Sequence, residues 1–251
     1  MSDRTTAPLP RRLAAEALGT GLLVTAVIGS GIAAARLSPS DVGLQLLENA
    51  VATAAALAVI ILLVGPVSGA HLNPVISIVD WWFGRTRGTG LTLAEVAAYT
   101  AAQVTGGVAG AMLANLMFDL PAVTFSTTDR SAGHLWLSEV VATAGLVAVV
   151  FALARSGRAA LSAATVAGYI GAAYFFTAST SFANPAVTIA RAFTDTFAGI
   201  APTSVLPYLA AQATGAVLGA AVVRLLYPHV AETADSVVVP HHGDQPAPAR
   251  Q

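Results

Sequence analysis

The sequence predicts an all-α membrane protein in which six transmembrane helices and two re-entrant half-helices form an inverted repeat. Three observations lead to this fold class. Apolar residues make up 55% of the chain and charged residues only 10%, whereas soluble proteins carry about 25% charged residues. Six apolar stretches are long enough to cross a bilayer, and two shorter ones are each interrupted by an Asn-Pro pair. One membrane domain accounts for this pattern better than soluble domains do.

The composition also excludes several classes of function. The formal net charge of -1 gives no reason to expect nucleic-acid binding. The chain has no cysteine, which excludes disulfides, thiolate metal sites and thiol nucleophiles. No segment resembles a nucleophile with its base or a nucleotide-binding loop, so neither an enzyme nor a cofactor is expected. The first apolar stretch is too long for the core of a signal peptide and is interpreted as a retained span.

A helix needs about 20 residues to cross the hydrocarbon core. The predicted spans cover residues 13–35, 43–64, 93–118, 135–154, 159–177 and 205–227. The interrupted segments, 72–83 and 183–193, are long enough for about half a crossing each. Residues 1–12 and 230–251 are then expected to be tails, the second disordered, with His241 and His242 solvated rather than metal-bound. The membrane domain occupies 13–229, with halves at about 13–120 and 133–229.

The two halves of the chain repeat one another. The letters YTAAQVTGG in the third span match YLAAQATGA in the sixth, so Gln103 corresponds to Gln212. In the same way Glu16 in the first span corresponds to Glu139 in the fourth. Each half contains three spans and one broken segment, and an odd number of spans gives the halves opposite orientations. Paired broken helices in an inverted repeat indicate a site near the bilayer midplane.

Basic residues near the span ends favour a cytoplasmic location for both termini, in the inner membrane. In this orientation the cytoplasmic side carries most of the arginines: Arg4, Arg11, Arg12, Arg85, Arg87, Arg155 and Arg158. The outer side carries Arg36, Arg130 and the loop with Arg191.

The Asn-Pro pairs are typical of helix starts, because proline is favoured as the first helical residue and asparagine as the cap before it. Non-helical backbone at membrane depth has to be satisfied by protein or by a water-filled cavity. Two helix amino ends that meet at the midplane repel cations, and the amides of Asn73 and Asn184 are placed to donate hydrogen bonds to a solute oxygen. A small neutral permeant suits this chemistry. The two motifs are Asn73-Pro74-Val75 and Asn184-Pro185-Ala186.

The paired motifs resemble those of the major intrinsic protein family, the aquaporins and aquaglyceroporins. The letters SGAHLNP before the first motif, the AAQ of spans three and six and the glutamates of spans one and four extend this resemblance over nearly the whole chain. It implies a bundle of six helices and two half-helices, a separate pore in each protomer, a homotetramer and passive passage of small neutral solutes.

The chain departs from the family's pattern in two places. Val75 stands where alanine is usual, and Val187 stands where the family has an arginine in its outer constriction. The family's spacing places the other filter positions at Thr53, Ala172 and Ser181. All four filter side chains are small, so the resemblance implies a wide filter that passes glycerol, urea, or metalloid acids such as arsenite and antimonite. The absence of the family's arginine extends this expectation to weakly acidic or neutral organo-arsenicals.

Arg191 lies one helical turn beyond Val187, on the same helix face but about 6 Å further out. We expect it to cap its loop or to pair with Asp195 rather than to replace the missing arginine.

Two interpretations stay open for the buried polar residues. Glu16 and Glu139 suit a proton relay or a structural brace for the re-entrant loops, and their symmetry and the family resemblance favour the brace. Gln103 and Gln212 are expected to hydrogen-bond between helices. His71 suits a gate or pH sensor, but a ring fixed against the loop backbone is favoured.

Other functions compete with a passive channel for neutral solutes. A water-selective aquaporin is the nearest alternative. A gradient-coupled transporter also uses inverted repeats and broken helices, but neither Asn-Pro pair has an adjoining ionisable residue. A non-conducting membrane protein is disfavoured because small filter residues do not plug a pore.

Overall fold

The computed structural model describes residues 7–86 and 88–228. Within these ranges the chain is all-helical and contains no strand. The helices are α1 (Leu9–Leu37), α2 (Val42–Ser68), α3 (Pro74–Gly84), α4 (Leu93–Met117), α5 (Gly133–Arg155), α6 (Ser162–Phe176), α7 (Pro185–Ala190) and α8 (Pro202–Leu226). Single 3₁₀ turns, Ala159–Leu161 and Arg191–Phe193, precede α6 and follow α7. The predicted fold class is confirmed.

Six of these helices are long and apolar enough to cross a membrane: α1, α2, α4, α5, α8, and α6 together with its 3₁₀ turn. Each coincides with a predicted span, and the differences lie at the ends. Helix α1 begins at Leu9, so residues 9–12, expected in the tail, are helical. Helix α2 continues through Pro66 and ends only where Gly69 turns left-handed at φ 87°.

Several expectations fall outside the described ranges. These are the tail segments 1–6 and 230–251, with Arg4, His241 and His242, and also Arg87.

The half-helices α3 and α7 begin at the prolines of the two Asn-Pro pairs. Each asparagine caps its helix through its own side chain: Asn73 Oδ1 accepts from Val75 N at 3.0 Å, and Asn184 Oδ1 accepts from Ala186 N at 3.0 Å. Both half-helices pack on α4 and α8 and touch each other. The six spans therefore surround a pair of short helices whose starts meet inside the bundle.

Two helix pairs, α1 with α4 and α5 with α8, approach each other closely at glycines. A Cβ added at Gly106 would lie 2.0 Å from the backbone oxygen of Ala17, and one at Gly110 would lie 2.2 Å from a backbone oxygen of α1. The corresponding positions in α8 are Gly215 and Gly219, where an added Cβ would lie 2.5 Å from a backbone oxygen of α5. Small residues at such contacts let membrane helices pack backbone to backbone.

Gly106→Ala is expected to lower the stability of the folded chain in detergent by about 2 kcal/mol, because the added methyl group overlaps backbone that has no room to move. The measurement is the midpoint of thermal unfolding of purified protein. Gly168→Ala is the matched control, since Gly168 is exposed on α6 and its added Cβ meets nothing within 4 Å. Equal midpoints for the two variants would contradict the close packing of α1 on α4.

Candidate pore

The starts of the two half-helices are joined by reciprocal hydrogen bonds. Asn73 Nδ2 donates to the carbonyl oxygen of Ala183 at 2.8 Å, and Asn184 Nδ2 donates to that of Leu72 at 2.7 Å. An amide nitrogen carries two protons, so each side chain keeps a second N–H after this bond. Both asparagines line one internal cavity, which gives that second N–H a route to a solute.

The chain reaches each asparagine through left-handed backbone. Leu72 has a φ of 52° and Ala183 a φ of 47°, and Ala70 and Ser181 are left-handed two residues earlier. None of these residues is glycine, so each such conformation costs on the order of 1–3 kcal/mol. The surrounding hydrogen bonds have to hold both loops in this shape.

Glu16 supplies those bonds for the first loop. Its Oε1 accepts from Ser68 Oγ at 2.6 Å and from His71 N at 3.0 Å. Its Oε2 accepts from Leu72 N at 2.6 Å and from Gln103 Nε2 at 2.7 Å. The side chain is fully buried. Two backbone N–H groups that the bilayer cannot satisfy therefore find their acceptor in one carboxylate.

Glu139 repeats the arrangement in the second loop. Its Oε1 accepts from Ser179 Oγ at 2.7 Å and from Phe182 N at 2.9 Å. Its Oε2 accepts from Ala183 N at 2.9 Å and from Gln212 Nε2 at 2.7 Å. Neither glutamate lines the cavity. The contacts are those of a loop brace and give a proton relay no path to the solute.

The two glutamines connect these braces to the half-helices. Gln103 Nε2 also donates to Ser77 Oγ in α3 at 3.2 Å, and Gln212 Nε2 also donates to Thr188 Oγ1 in α7 at 2.8 Å. These hydroxyl residues were not among the site residues expected from the sequence. A signal was present, because a serine precedes each motif asparagine by five positions and a hydroxyl residue follows it by four.

His71 is held on both sides of its ring. Its Nδ1 lies 3.1 Å from Ser77 Oγ, and its ring centroid lies 5.4 Å from that of Tyr99. Phe182 takes the equivalent place in the other half, with its centroid 5.2 Å from that of Tyr208. Phenylalanine cannot titrate, so the element common to both halves is a ring packed on a tyrosine. This favours a positional role for His71.

The expected filter positions are brought together only in part. Thr53, Ser181 and Val187 line the cavity. Ala172 does not, because it is exposed on the other face of α6. Tyr174 and Ile170, one helical turn apart, line the cavity instead.

Arg191 departs further from expectation. No pair forms with Asp195, whose carboxylate accepts from Thr127 N at 2.9 Å. Instead Arg191 Nε donates to the carbonyl oxygen of Ala198, and the guanidinium carbon lies 3.4 Å from the centroid of Phe182. Arg191 is only 3% exposed and lines the cavity. The wall therefore contains Tyr174, Phe182 and Arg191 as well as the small side chains expected from the sequence.

The loop between α4 and α5 holds the turn that carries Arg191. Ser126 N donates to the carbonyl oxygen of Ala192 at 3.1 Å, and Thr124 N donates to that of Phe193 at 3.2 Å. Further along this loop, hydrogen bonds from Ser131 and Ser204 keep the pKa of Asp129 below its usual range. The turn after α7 is thus fixed by the loop between α4 and α5.

Polar and apolar side chains both line the cavity. Ser181 Oγ is buried and has no hydrogen-bond partner within the described ranges, so it is left to a solute. The other polar side chains are Asn73, Asn184, Thr53, His71, Tyr174 and Arg191, and the apolar wall includes Leu23, Leu57, Ile61, Val150 and Val166. Such a lining accommodates a small molecule that carries both hydroxyl groups and carbon.

Glu16→Gln and Glu139→Gln are each expected to reduce the yield of folded protein and its solute flux strongly. A glutamine turns one of the two acceptor oxygens into a donor, which leaves a buried backbone N–H unpaired at a cost of about 1–3 kcal/mol. The readouts are folded yield by size-exclusion chromatography and flux in proteoliposomes. Glu48→Gln is the control, because Glu48 accepts one hydrogen bond, from Ser38. Wild-type flux in both brace variants would contradict the role assigned to the carboxylates.

Comparison with known proteins agrees with this geometry. The family model described as major intrinsic protein matches residues 4–183 and 162–246. The aquaglyceroporin AqpS of Rhizobium meliloti (strain 1021) is 51% identical over 218 residues, which are 87% of this chain and 91% of AqpS. The glycerol uptake facilitator protein of Pseudomonas aeruginosa is 31% identical over 180 residues, 61% of either chain.

Among solved structures, the aquaglyceroporin of Plasmodium falciparum aligns with a TM-score of 0.67 at 20% identity, covering 89% of this chain and 99% of that one. At this identity the similarity concerns the fold. Taken with the sequence matches and the pore between α3 and α7, it leads to one conclusion: the chain belongs to the major intrinsic protein family, as a passive membrane channel for small solutes and not as an enzyme.

Proposed function

We propose that this channel passes glycerol-sized neutral solutes and uncharged metalloid acids such as arsenite and antimonite in their protonated forms. The observation that carries the proposal is the mixed lining of the cavity, where hydrogen-bonding groups occur together with an apolar wall. A water-selective path needs no such wall, because water has no carbon surface to accommodate.

The several polar groups of the cavity support a solute with several hydroxyls. The free N–H groups of Asn73 and Asn184 lie at the meeting point of the half-helices, while Ser181 and Thr53 contribute hydroxyl oxygens to the same cavity. A polyol or a metalloid acid exchanges hydrogen bonds with water for hydrogen bonds with these groups as it moves. The apolar remainder of the wall accommodates its carbon or metalloid centre.

The names of the relatives support the same solute class. One relative is a glycerol uptake facilitator, and another is the propanediol uptake facilitator PduF of Citrobacter freundii, 32% identical over 166 residues, 57% of this chain and 59% of PduF. The amino ends of two helices and the guanidinium of Arg191 all bring positive charge to the cavity, which disfavours cations as permeants.

Stopped-flow measurement on proteoliposomes tests the proposal with glycerol, urea, arsenous acid and antimonous acid, against empty vesicles. We expect each solute to enter at least about tenfold faster than through lipid alone, without saturation and without dependence on an ion gradient. Water flux with no solute flux would establish the water-selective alternative, which the presence of Tyr174 and Arg191 in the wall favours. Saturable, gradient-dependent flux would establish a transporter.

Val187→Arg is expected to reduce glycerol flux by at least about tenfold, because a second guanidinium then occupies the cavity beside Arg191. Val187→Ala is the control and is expected to keep the flux, since it only widens the wall. Glycerol flux that is unchanged in Val187→Arg would show that Val187 does not lie on the solute path.

We further propose that the chain assembles as a homotetramer in the inner membrane with both termini in the cytoplasm. Large apolar side chains on α2 and α8 are exposed, among them Leu62 at 63% and Leu225 at 80%, which supports contact with lipid or with neighbouring protomers. Native mass spectrometry of the purified channel is expected to give four chains. Labelling of terminal tags is expected only after the inner membrane is permeabilised.

A further inference from the structure

We infer that Arg191 is the residue that determines cation exclusion and solute selection in the outer part of this pore, acting from one helical turn beyond Val187. The inference rests on the proposed solute path along the cavity between Asn73 and Asn184. It adds a specificity-determining side chain at a position where the sequence predicted a loop contact.

The backbone around Arg191 explains how a residue so far along the segment reaches the cavity. Helix α7 ends at Ala190, and Arg191 opens a tighter 3₁₀ turn. Arg191 lies four positions after Val187, so both side chains lie on one face and both line the cavity. The carbonyl oxygen of Arg191 accepts from Ile200 N at 3.3 Å, which ties the turn to the following loop.

The guanidinium itself is held from two sides. Its Nε donates to the carbonyl oxygen of Ala198, and its carbon lies 3.4 Å from the centroid of Phe182. A guanidinium has five N–H donors, and Nε accounts for one of them. The terminal nitrogens of Arg191 have no hydrogen-bond partner in residues 7–86 and 88–228, and they are the part of the side chain that remains for a solute in the cavity.

The charge of Arg191 is not neutralised by a direct ion pair. Of the residues that the structure describes, one pair lies within ion-pair distance, between Arg12 and Glu95, and neither residue lines this cavity. Asp195, the acidic residue four positions on, is engaged with Thr127. A buried charge without a partner is costly and is rarely kept in a membrane protein without a function. The chemistry available to it here is repulsion of cations and donation to a solute oxygen.

Arg130 supplies a matched comparison within the same structure. Its guanidinium carbon also lies near the Phe182 ring, at 5.1 Å from the centroid, and its Nε donates to the next loop carbonyl, that of Gly199, at 3.0 Å. Arg130 does not line the cavity. If charge near Phe182 were enough for selection, both arginines would matter equally. Of the two arginines, the geometry assigns the role to Arg191.

The test uses full-length protein in proteoliposomes and two readouts, leak of methylammonium ion and the ratio of glycerol to erythritol permeability. Wild type is expected to exclude the cation. Arg191→Leu is expected to raise the cation leak at least about tenfold and to lower the glycerol preference. Arg130→Leu is expected to stay within about twofold of wild type on both readouts. A leak in Arg191→Leu that equals that of wild type would overturn the inference.

Arg191→Lys keeps the charge but loses the planar fork. We expect it to keep cation exclusion and to change the glycerol to erythritol ratio by at least about threefold. If Arg191→Leu does not fold, Arg191→Lys takes its place in the test. An unchanged glycerol to erythritol ratio in Arg191→Lys would then contradict the selective role of Arg191. If wild type passes no glycerol, the proposed permeant is wrong. The methylammonium leak then still tests whether Arg191 excludes cations.

Discussion

The rest of the structure depends on one constraint, that backbone N–H groups inside a bilayer must find acceptors within the protein. The two re-entrant loops break helical hydrogen bonding at membrane depth. Glu16 and Glu139 repair this, each accepting two backbone N–H groups, one serine hydroxyl and one glutamine amide. Once the loops are held, the Asn-Pro pairs meet inside the bundle and a solute path exists between them.

The inverted repeat builds the scaffold, and the differences between its halves shape the path. The braces, the capping asparagines and the close glycine contacts occur twice with nearly the same geometry. Beyond the starts of the half-helices the symmetry fails. Helix α3 continues to Gly84, whereas α7 ends at Ala190 and passes into the turn that carries Arg191. The two halves therefore differ most where the loop between α4 and α5 holds this turn near Phe182 and the cavity.

Much of the fold and part of the pore follow from local sequence. The spans follow from apolar length, and the half-helix starts follow from asparagine and proline, because capping is decided by two or three neighbouring residues. That Glu16 and Glu139 occupy equivalent positions in the two halves follows from the repeat. The groups that donate hydrogen bonds to these glutamates were not predicted from the sequence. Hydroxyl residues nevertheless recur at the same spacings from Asn73 and Asn184, and this recurrence was a signal for them.

By itself the sequence determined six spans, two half-helices that meet at their amino ends, and a valine after the second motif. It also determined that this meeting point suits a neutral solute. Only the tertiary structure decided that Tyr174 rather than Ala172 lines the cavity and that Arg191 turns into the cavity rather than toward Asp195. The physical reason is that these directions depend on contacts between segments distant in the chain. The rotation of α6 is fixed by its neighbours, and the guanidinium is fixed by the carbonyl of Ala198 and the ring of Phe182.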